Sequence, residues 1–333
     1  MTKESVRQLL NKVPYIKELH QGLESRQRRI AQCKIRIEKY RKKLEVLKKQ
    51  LAEYEAIYNM EFPPGHFHSP TVSITEIDAT ERHPSSAGSD NISAPDLYEE
   101  EQMRFIYDAR EVYKELPFAP ARQDHLRYFY ENDFFPYSDA IFLYVIIRCF
   151  KPKRIIEVGS GFSSCLMLDT NELYFRNSID LTFIEPHPER FFSLLKTTDK
   201  ASIKIIEDKI QNVDIQIFDT LRENDILFID SSHVSKAGSD VNDILFSVLP
   251  RLEKGVLIHF HDIFFPFEYP REWILRRGWN EAYILRSFLM YNDSFKIIFF
   301  NNFLQHAHRE WLKDNMPLCL KDASSGIWIQ KKA

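Results

Sequence analysis

From Arg154 to the end of the chain, short apolar runs alternate with stretches long enough for a helix, and this alternation limits the fold more than any other feature. The runs at 154–158, 181–185, 203–206, 226–230, 255–260, 295–300 and 325–330 have the length and the β-branched or aromatic content of strands. Strands joined through helical crossovers lie parallel, so the pattern predicts a seven-stranded, doubly wound α/β sheet with helices on both faces. The last two runs, in SFKIIFF and GIWIQKK, are expected to close it as an antiparallel pair.

A different periodicity governs residues 16–58. Ile16, Leu23, Ile30, Ile37, Leu44, Leu51 and Tyr58 occupy one heptad position, a. Leu19, Arg26, Cys33, Tyr40, Leu47 and Tyr54 occupy the other, d, with Arg26 the single charged intruder. Six heptads exceed what a coiled coil requires. Residues 26–49 carry eleven Lys/Arg against two Glu, a local balance of +9 inside a chain whose formal net charge is -3. The flanking g residues Arg29, Arg36 and Lys43 and e residues Lys34, Arg41 and Lys48 repel one another across a parallel or antiparallel pair of identical helices. Two partners are therefore expected for residues 16–58: a second copy held by the apolar seam, or something anionic.

The sequence is expected to divide into a basic coiled-coil helix (1–60), a flexible linker (61–95) rich in Pro, Ser and Gly, and an α/β domain (96–333) whose residues 96–150 form a helical lid. His66, His68 and His83 in the linker are expected to face solvent. RYFYENDFFPYSDA at 127–140 reads as a wet aromatic patch leading into a buried helix that Lys151 and Pro152 end. Four scattered cysteines suggest neither disulfides nor a zinc site. The longest apolar stretch, AIFLYVII at 140–147, is too short to span a bilayer, and no signal-like segment opens the chain, so a soluble, cytoplasmic protein is expected.

The chemistry concentrates after the first strand. In RIIEVGSGFSS, Gly159 and Gly161 permit a sharp turn and a close backbone approach, and the helix starting near Ser163 offers free N–H groups. A dinucleotide fingerprint would need a third glycine where Ser164 stands, which weakens an NAD reading. Glu157 suits a cationic ligand. Glu185, ending the second strand, can accept both hydroxyls of a ribose.

EVGSGFSS, FIEPHPERF, DILFIDSSHV and GVLIHFHDIFFPFEYP, in this order, resemble the class I S-adenosylmethionine-dependent methyltransferases over roughly residues 120–333. The branch resembled is the bacterial one that acts on small molecules and sugars. The resemblance implies a Rossmann-like seven-stranded doubly wound sheet, here preceded by the long N-terminal coiled-coil helix. It also implies S-adenosylmethionine bound by Glu157, Gly159, Gly161, Ser163, Glu185, Asp208 and Asp230. Glu157 would lie near the methionyl ammonium, Glu185 at the ribose and Asp208 beside the adenine, Glu207 being its one-residue alternative. A Gly159→Arg change is expected to abolish cofactor binding and leave the fold largely intact.

Asp230 ends the fourth strand, and His261 and Asp262 end the fifth. A hydroxyl acceptor must lose a proton, so His261 is the expected base with His233 as second choice, or Asp230, His261 and Asp262 hold Mg2+. His259, deeper on the same strand, reads as a satisfied core histidine. The aromatic stretches FFPYSDA and DIFFPFEYP are expected to line the acceptor pocket, with EYPREWILRRGWNEAYILRSF as a helix and lid. The function expected is O-methylation of a small molecule or glycan. The rivals are a non-catalytic scaffold whose coil binds an anionic partner and an NAD-dependent oxidoreductase.

Overall fold

The computed structural model describes residues 4–5, 14–58, 62, 66–74, 77–78, 95–199 and 203–332, in two compact units, Met1–Ser73 and Ile74–Ala333. In the first unit, helix α1 (Pro14–Tyr58) runs unbroken for 45 residues. Its stripe residues Leu19, Leu23, Ile30, Ile37, Tyr40, Leu44, Leu47 and Leu51 are each more than half exposed. His83 and most of the stretch expected to be a linker lie outside the described residues. Ile77, however, is buried, and Asp78 pairs with Arg271 at 2.5 Å, so this part of the stretch belongs to the second unit.

Farther along the second unit, α2 (Glu99–Tyr113) carries three glutamates in its first turn and Arg110 in its last, matching the helix dipole. It buries Gln102, Ile106 and Ala109, one helical face. Helix α3 (Tyr137–Phe150) follows and is buried from Tyr137 to Ile147. It packs between α2 and α4 (Phe162–Phe175). It is the buried helix expected from the sequence, because its run AIFLYVII is apolar all round; although it falls within the stretch 96–150 expected as a lid, it sits in the core. Lys151 ends it in the left-handed conformation, φ 51°, and Pro152 prevents continuation.

The seven strands are β1 (Arg154–Val158), β2 (Asp180–Ile184), β3 (Lys204–Ile206), β4 (Ile226–Ile229), β5 (Leu257–Phe260), β6 (Phe295–Phe300) and β7 (Ile327–Lys331). Their spatial order is β3-β2-β1-β4-β5-β7-β6. The first five are parallel, and β7 runs antiparallel to both β5 and β6. One set of packed helices comprises α2, α3, α4, α5 (Glu189–Leu194), α9 (Asn301–Ala307) and α10 (Arg309–Asn315). The other comprises α6 (Asp240–Asp243) with the tight helical turns at 210–212, 215–220 and 249–251 and a wider π-helical turn at 244–248. Strands covered on both faces must be apolar throughout, and β4, ILFI, is buried at every position. Strand order reverses between β1 and β4, which places the ligand crevice at their carboxyl ends.

The segment expected to be wet is largely core. Tyr128, Tyr130, Phe135 and Tyr137 are buried, Tyr130 stacks on Tyr137 with ring centres 4.7 Å apart, and the Tyr128 hydroxyl donates to the Phe135 carbonyl at 2.8 Å. With its hydroxyl satisfied, the Tyr128 ring packs like an apolar group. Asp133 and Phe134 remain exposed.

Candidate active site

A cavity of about 370 Å³ opens at the carboxyl ends of β1 and β4. Gly159, Ser160, Gly161, Ser163, Glu185 and Asp230 form one side. Phe134, His233, His261, Asp262, Trp273 and Trp279 form much of the rest. The crevice predicted from strand order therefore contains Gly159, Gly161, Glu185, Asp230, His261 and Asp262, but Glu157 and Asp208 do not line it.

The β1 turn is held by two backbone bonds. The Gly159 N–H donates to the Ile184 carbonyl on β2, and the Val158 carbonyl accepts from the Asp230 N–H beyond β4, both at 2.9 Å. A Cβ on Gly159 would lie 1.8 Å from the Asp230 carbonyl oxygen, and φ is +88°. Only glycine fits between these strands. Gly161 is different: its φ is -179°, ordinary extended backbone, and a Cβ there would meet nothing within 4 Å. The expectation that Gly159→Arg spares the fold is thus corrected, because the added atoms collide with main chain of the neighbouring strand.

Glu157 is fully buried beneath this turn. Its Oε1 accepts from the Ser163 hydroxyl at 2.5 Å and its Oε2 from the Ser164 hydroxyl, while the Gly161 N–H donates to Ser164 Oγ at 2.9 Å. Burial pushes the carboxyl up to about 8 against the lowering effect of the two serines. The position that disqualified a dinucleotide fingerprint, Ser164, thus has a positive task, and Ser163 holds the acid as well as lining the cavity. Glu185 bridges two loops, accepting from the Ser160 N–H at 2.9 Å and the His187 N–H at 2.7 Å, and stays partly exposed at the cavity wall.

Asp208 is not brought to the cavity. It is exposed and accepts from the Lys209 N–H and the Asn212 amide, a local turn in which the residue stabilises its own loop. Glu207 is exposed too. The neighbouring Ile210 and Gln211, not either acid, line the adjoining cavity of about 450 Å³, which shares Gly159, Glu185 and Asp230 with the first.

On the far side of the cavity, His233 is buried with φ +58° and bound on both nitrogens. Nδ1 lies 2.8 Å from Glu281 Oε2, and Nε2 lies 3.3 Å from Asp230 Oδ1 and 3.5 Å from Asp262 Oδ2. Burial opposes its charge, but bonds to Asp230 and Glu281 raise its pKa well above that of a free histidine. Asp262, also left-handed at φ +56°, accepts from the Ser325 hydroxyl at 3.0 Å, and burial raises its carboxyl. Two side chains in this backbone region, facing each other across one site, mark a functional constraint. Donor atoms of Asp230, His233 and Asp262 lie within 4.8 Å of one another, the one such cluster among the described residues.

His261, expected in that cluster, is set apart from it. Its Nε2 is 3.8 Å from Asp262 Oδ1, its Nδ1 has no partner among the described residues, and its ring packs 5.2 Å from Phe135. The three-residue advance from Asp230 to His233 along a turning loop brings that imidazole closer than the neighbouring strand does. His259 is buried between Phe228 and Trp328, with ring centres at 4.2 and 4.5 Å. Neither ring nitrogen has a partner among the described residues, so it is not the satisfied histidine expected, and burial holds it neutral. Glu281 escaped sequence reasoning. It starts α8 (Glu281–Met290), where an acid in the first turn reads as helix capping. The lid segment forms two helices, α7 (Arg271–Arg277) and α8, parted by Gly278 at φ +62°.

Comparison with known proteins fits this geometry. A family model described as a methyltransferase domain matches residues 156–263, from β1 through the end of β5. An uncharacterized protein of Archaeoglobus fulgidus is 32% identical over 167 residues, which cover 49% of this chain and 75% of the relative. Among solved structures, the chain is similar to the S-adenosylhomocysteine-bound methyltransferase PaMTH1 of Podospora anserina (16% identity, 80% of this chain and 100% of that one, TM-score 0.39). It is also similar to the O-methyltransferase TomG of Streptomyces achromogenes, solved with S-adenosylmethionine (12% identity, 77% and 96%, TM-score 0.38).

Proposed function

Since this chain belongs to the class I S-adenosylmethionine-dependent methyltransferases, we propose that it methylates a hydroxyl group of a small molecule or glycan in the cavity at the ends of β1 and β4. The observation that carries this is the continuity of that one cavity from the Gly159–Gly161 turn and Glu185 to the His233, His261 and Asp262 side. S-adenosylmethionine, when bound, supplies its methyl group on a sulfonium, an electrophile needing no further activation. The chain's task is to hold two molecules in line and to remove a proton. Glu185 would accept ribose hydroxyls, and Phe134, Trp273 and Trp279 would offer the acceptor an aromatic wall. Association through residues 16–58 and a cytoplasmic location belong to the same reading; among the described residues no helix is long and apolar enough to cross a membrane.

Two carboxylates and an imidazole in one open corner fit a divalent cation, which would lower the pKa of a hydroxyl bound to it. Asp230, His233 and Asp262 would hold it. Mg2+ prefers oxygen alone, so the nitrogen donor favours Mn2+ or a later divalent metal over Mg2+. Without a cation, His261 is the residue placed to take the proton, and Glu281 orients His233 beside it. A Mn2+ titration followed by electron paramagnetic resonance is expected to show one site that Asp262→Ala weakens at least about tenfold. Unchanged Mn2+ binding would return the proton transfer to His261.

The binding test is calorimetric titration with S-adenosylmethionine, S-adenosylhomocysteine and NAD. The first two are expected to bind, NAD is not, and Gly161→Val, which projects into the open side of the turn, is expected to weaken both by at least about tenfold. Silence from both sulfur ligands would favour the scaffold reading. Glu157 adds a pH signature. Protonated below about 8 in the free protein, it releases a proton when a cationic group arrives above it. Affinity for S-adenosylmethionine should therefore rise toward pH 8 and flatten beyond, with proton release near pH 7 visible as a dependence of the heat on buffer ionisation. In Glu157→Gln the release should vanish.

A further inference from the structure

Helix α1 has its charges sorted by face. All six e and g positions from 29 to 48 are basic: Arg29, Lys34, Arg36, Arg41, Lys43 and Lys48. The acids Glu24, Glu38 and Glu45 all fall at b, on the outside. Among the described residues, Lys48 alone of the six has a carboxylate within 4 Å, Glu45 at 3.6 Å. Between the two basic rows runs the exposed apolar seam, interrupted by Arg26 at a d position.

From this sorting we infer that the seam is built for a helix of another chain, one with its own heptad repeat and with Glu or Asp at e and g. A second copy is the poorer occupant. Every central flanking pair would repel in either orientation, of the acids at b only Glu45 reaches a flanking residue among the described residues, Lys48 at 3.6 Å, and two Arg26 side chains would meet in one core layer of a parallel pair. An acidic helix turns each of these contacts attractive and can set a carboxylate against Arg26. A lipid surface is also poorer. The apolar residues keep a 3.5-residue repeat over six heptads, which drifts around a straight helix and stays on one line only when two helices supercoil. They also form a narrow stripe, whereas a helix lying on a bilayer presents a broad apolar face.

This inference deepens the proposed association through residues 16–58 and is independent of the methyltransferase reading. Its test uses the full chain and a synthetic four-heptad peptide with Ile at a, Leu at d and Glu at e and g. A twin peptide with Lys at e and g, and vesicles containing phosphatidylserine, serve as rivals. Sedimentation at micromolar concentration and physiological salt is expected to show a monomer. The Glu peptide should bind one to one, at least about 100-fold more tightly than the Lys peptide, and more weakly as salt rises. Changing all six basic residues to Glu should reverse the preference, with circular dichroism confirming that the helix persists. A dimer that excludes the Glu peptide would support association yet overturn the partner's chemistry. Binding to vesicles without binding to the Glu peptide would overturn it in favour of a membrane, and equal affinity for both peptides would overturn it outright.

Discussion

Replacing Gly159 with alanine is expected to remove at least roughly 3 kcal/mol of stability, while the same change at Gly161, two residues on, leaves stability within about 0.5 kcal/mol. The difference comes from the neighbours. A Cβ at Gly159 lies 1.8 Å from the Asp230 carbonyl oxygen, in a backbone conformation with φ +88°. The turn cannot move aside, because Gly159 is bonded to β2 and Val158 to the residue after β4, each at 2.9 Å. Relief requires parting β1 from β2 or β4, the middle of the sheet. At Gly161 the backbone is extended and the space open. Thermal and urea unfolding of the two variants measures this directly. Equal stability of Gly159→Ala and the parent would mean that β1 and β4 can separate without loss.

Arg127→Met is expected to lose about 3–5 kcal/mol near neutral pH and less of it in acid. The guanidinium is 6% exposed and joins three acids: Asp199 at 2.5 Å, Asp169 at 2.7 Å and Glu172 at 2.8 Å. Asp169 is fully buried and also accepts the N–H groups of Arg127 and Tyr128, each at 2.8 Å. Removing the arginine leaves buried carboxylates uncompensated. Burial already raises Asp169, whereas for Asp199 the bonds to Arg127 outweigh burial and hold it low. A low carboxyl adds stability above its unfolded pKa that disappears as pH falls through the folded one. The variant lacks that contribution and has a raised carboxyl at Asp199, so the difference between the proteins should shrink as pH drops toward about 4. Unfolding measured across this range tests the sign. Because the same segment carries Phe134 and Phe135 to the cavity wall, the variant should also bind acceptors less well.

Some of the site was legible because it depends on local order along the chain. Strand ends, the two glycines of the first turn and the acid ending β2 are set by periodicity and spacing, and Gly159, Gly161, Glu185, Asp230, His261 and Asp262 do line one cavity. Asp208, which the family resemblance alone put beside the adenine, does not: the Lys209 N–H and the Asn212 amide lie within reach of its carboxylate and bind it locally. Ser164 reads as standing where a dinucleotide fingerprint has glycine and Ser163 as a helix start, and only their contact with buried Glu157 shows that they hold it in place.

The alternation of apolar runs with helix-length stretches determined the parallel sheet, and the heptads determined the long helix, because run length and a 3.5-residue repeat are local properties that need no knowledge of distant neighbours. Tertiary structure alone decided which charged groups meet. His233 reaches Glu281 across 48 residues, and Arg127 reaches Asp169 and Asp199 across 42 and 72. No periodicity encodes such pairs: the path of the chain brings them together, and burial removes the water that would otherwise keep them independent.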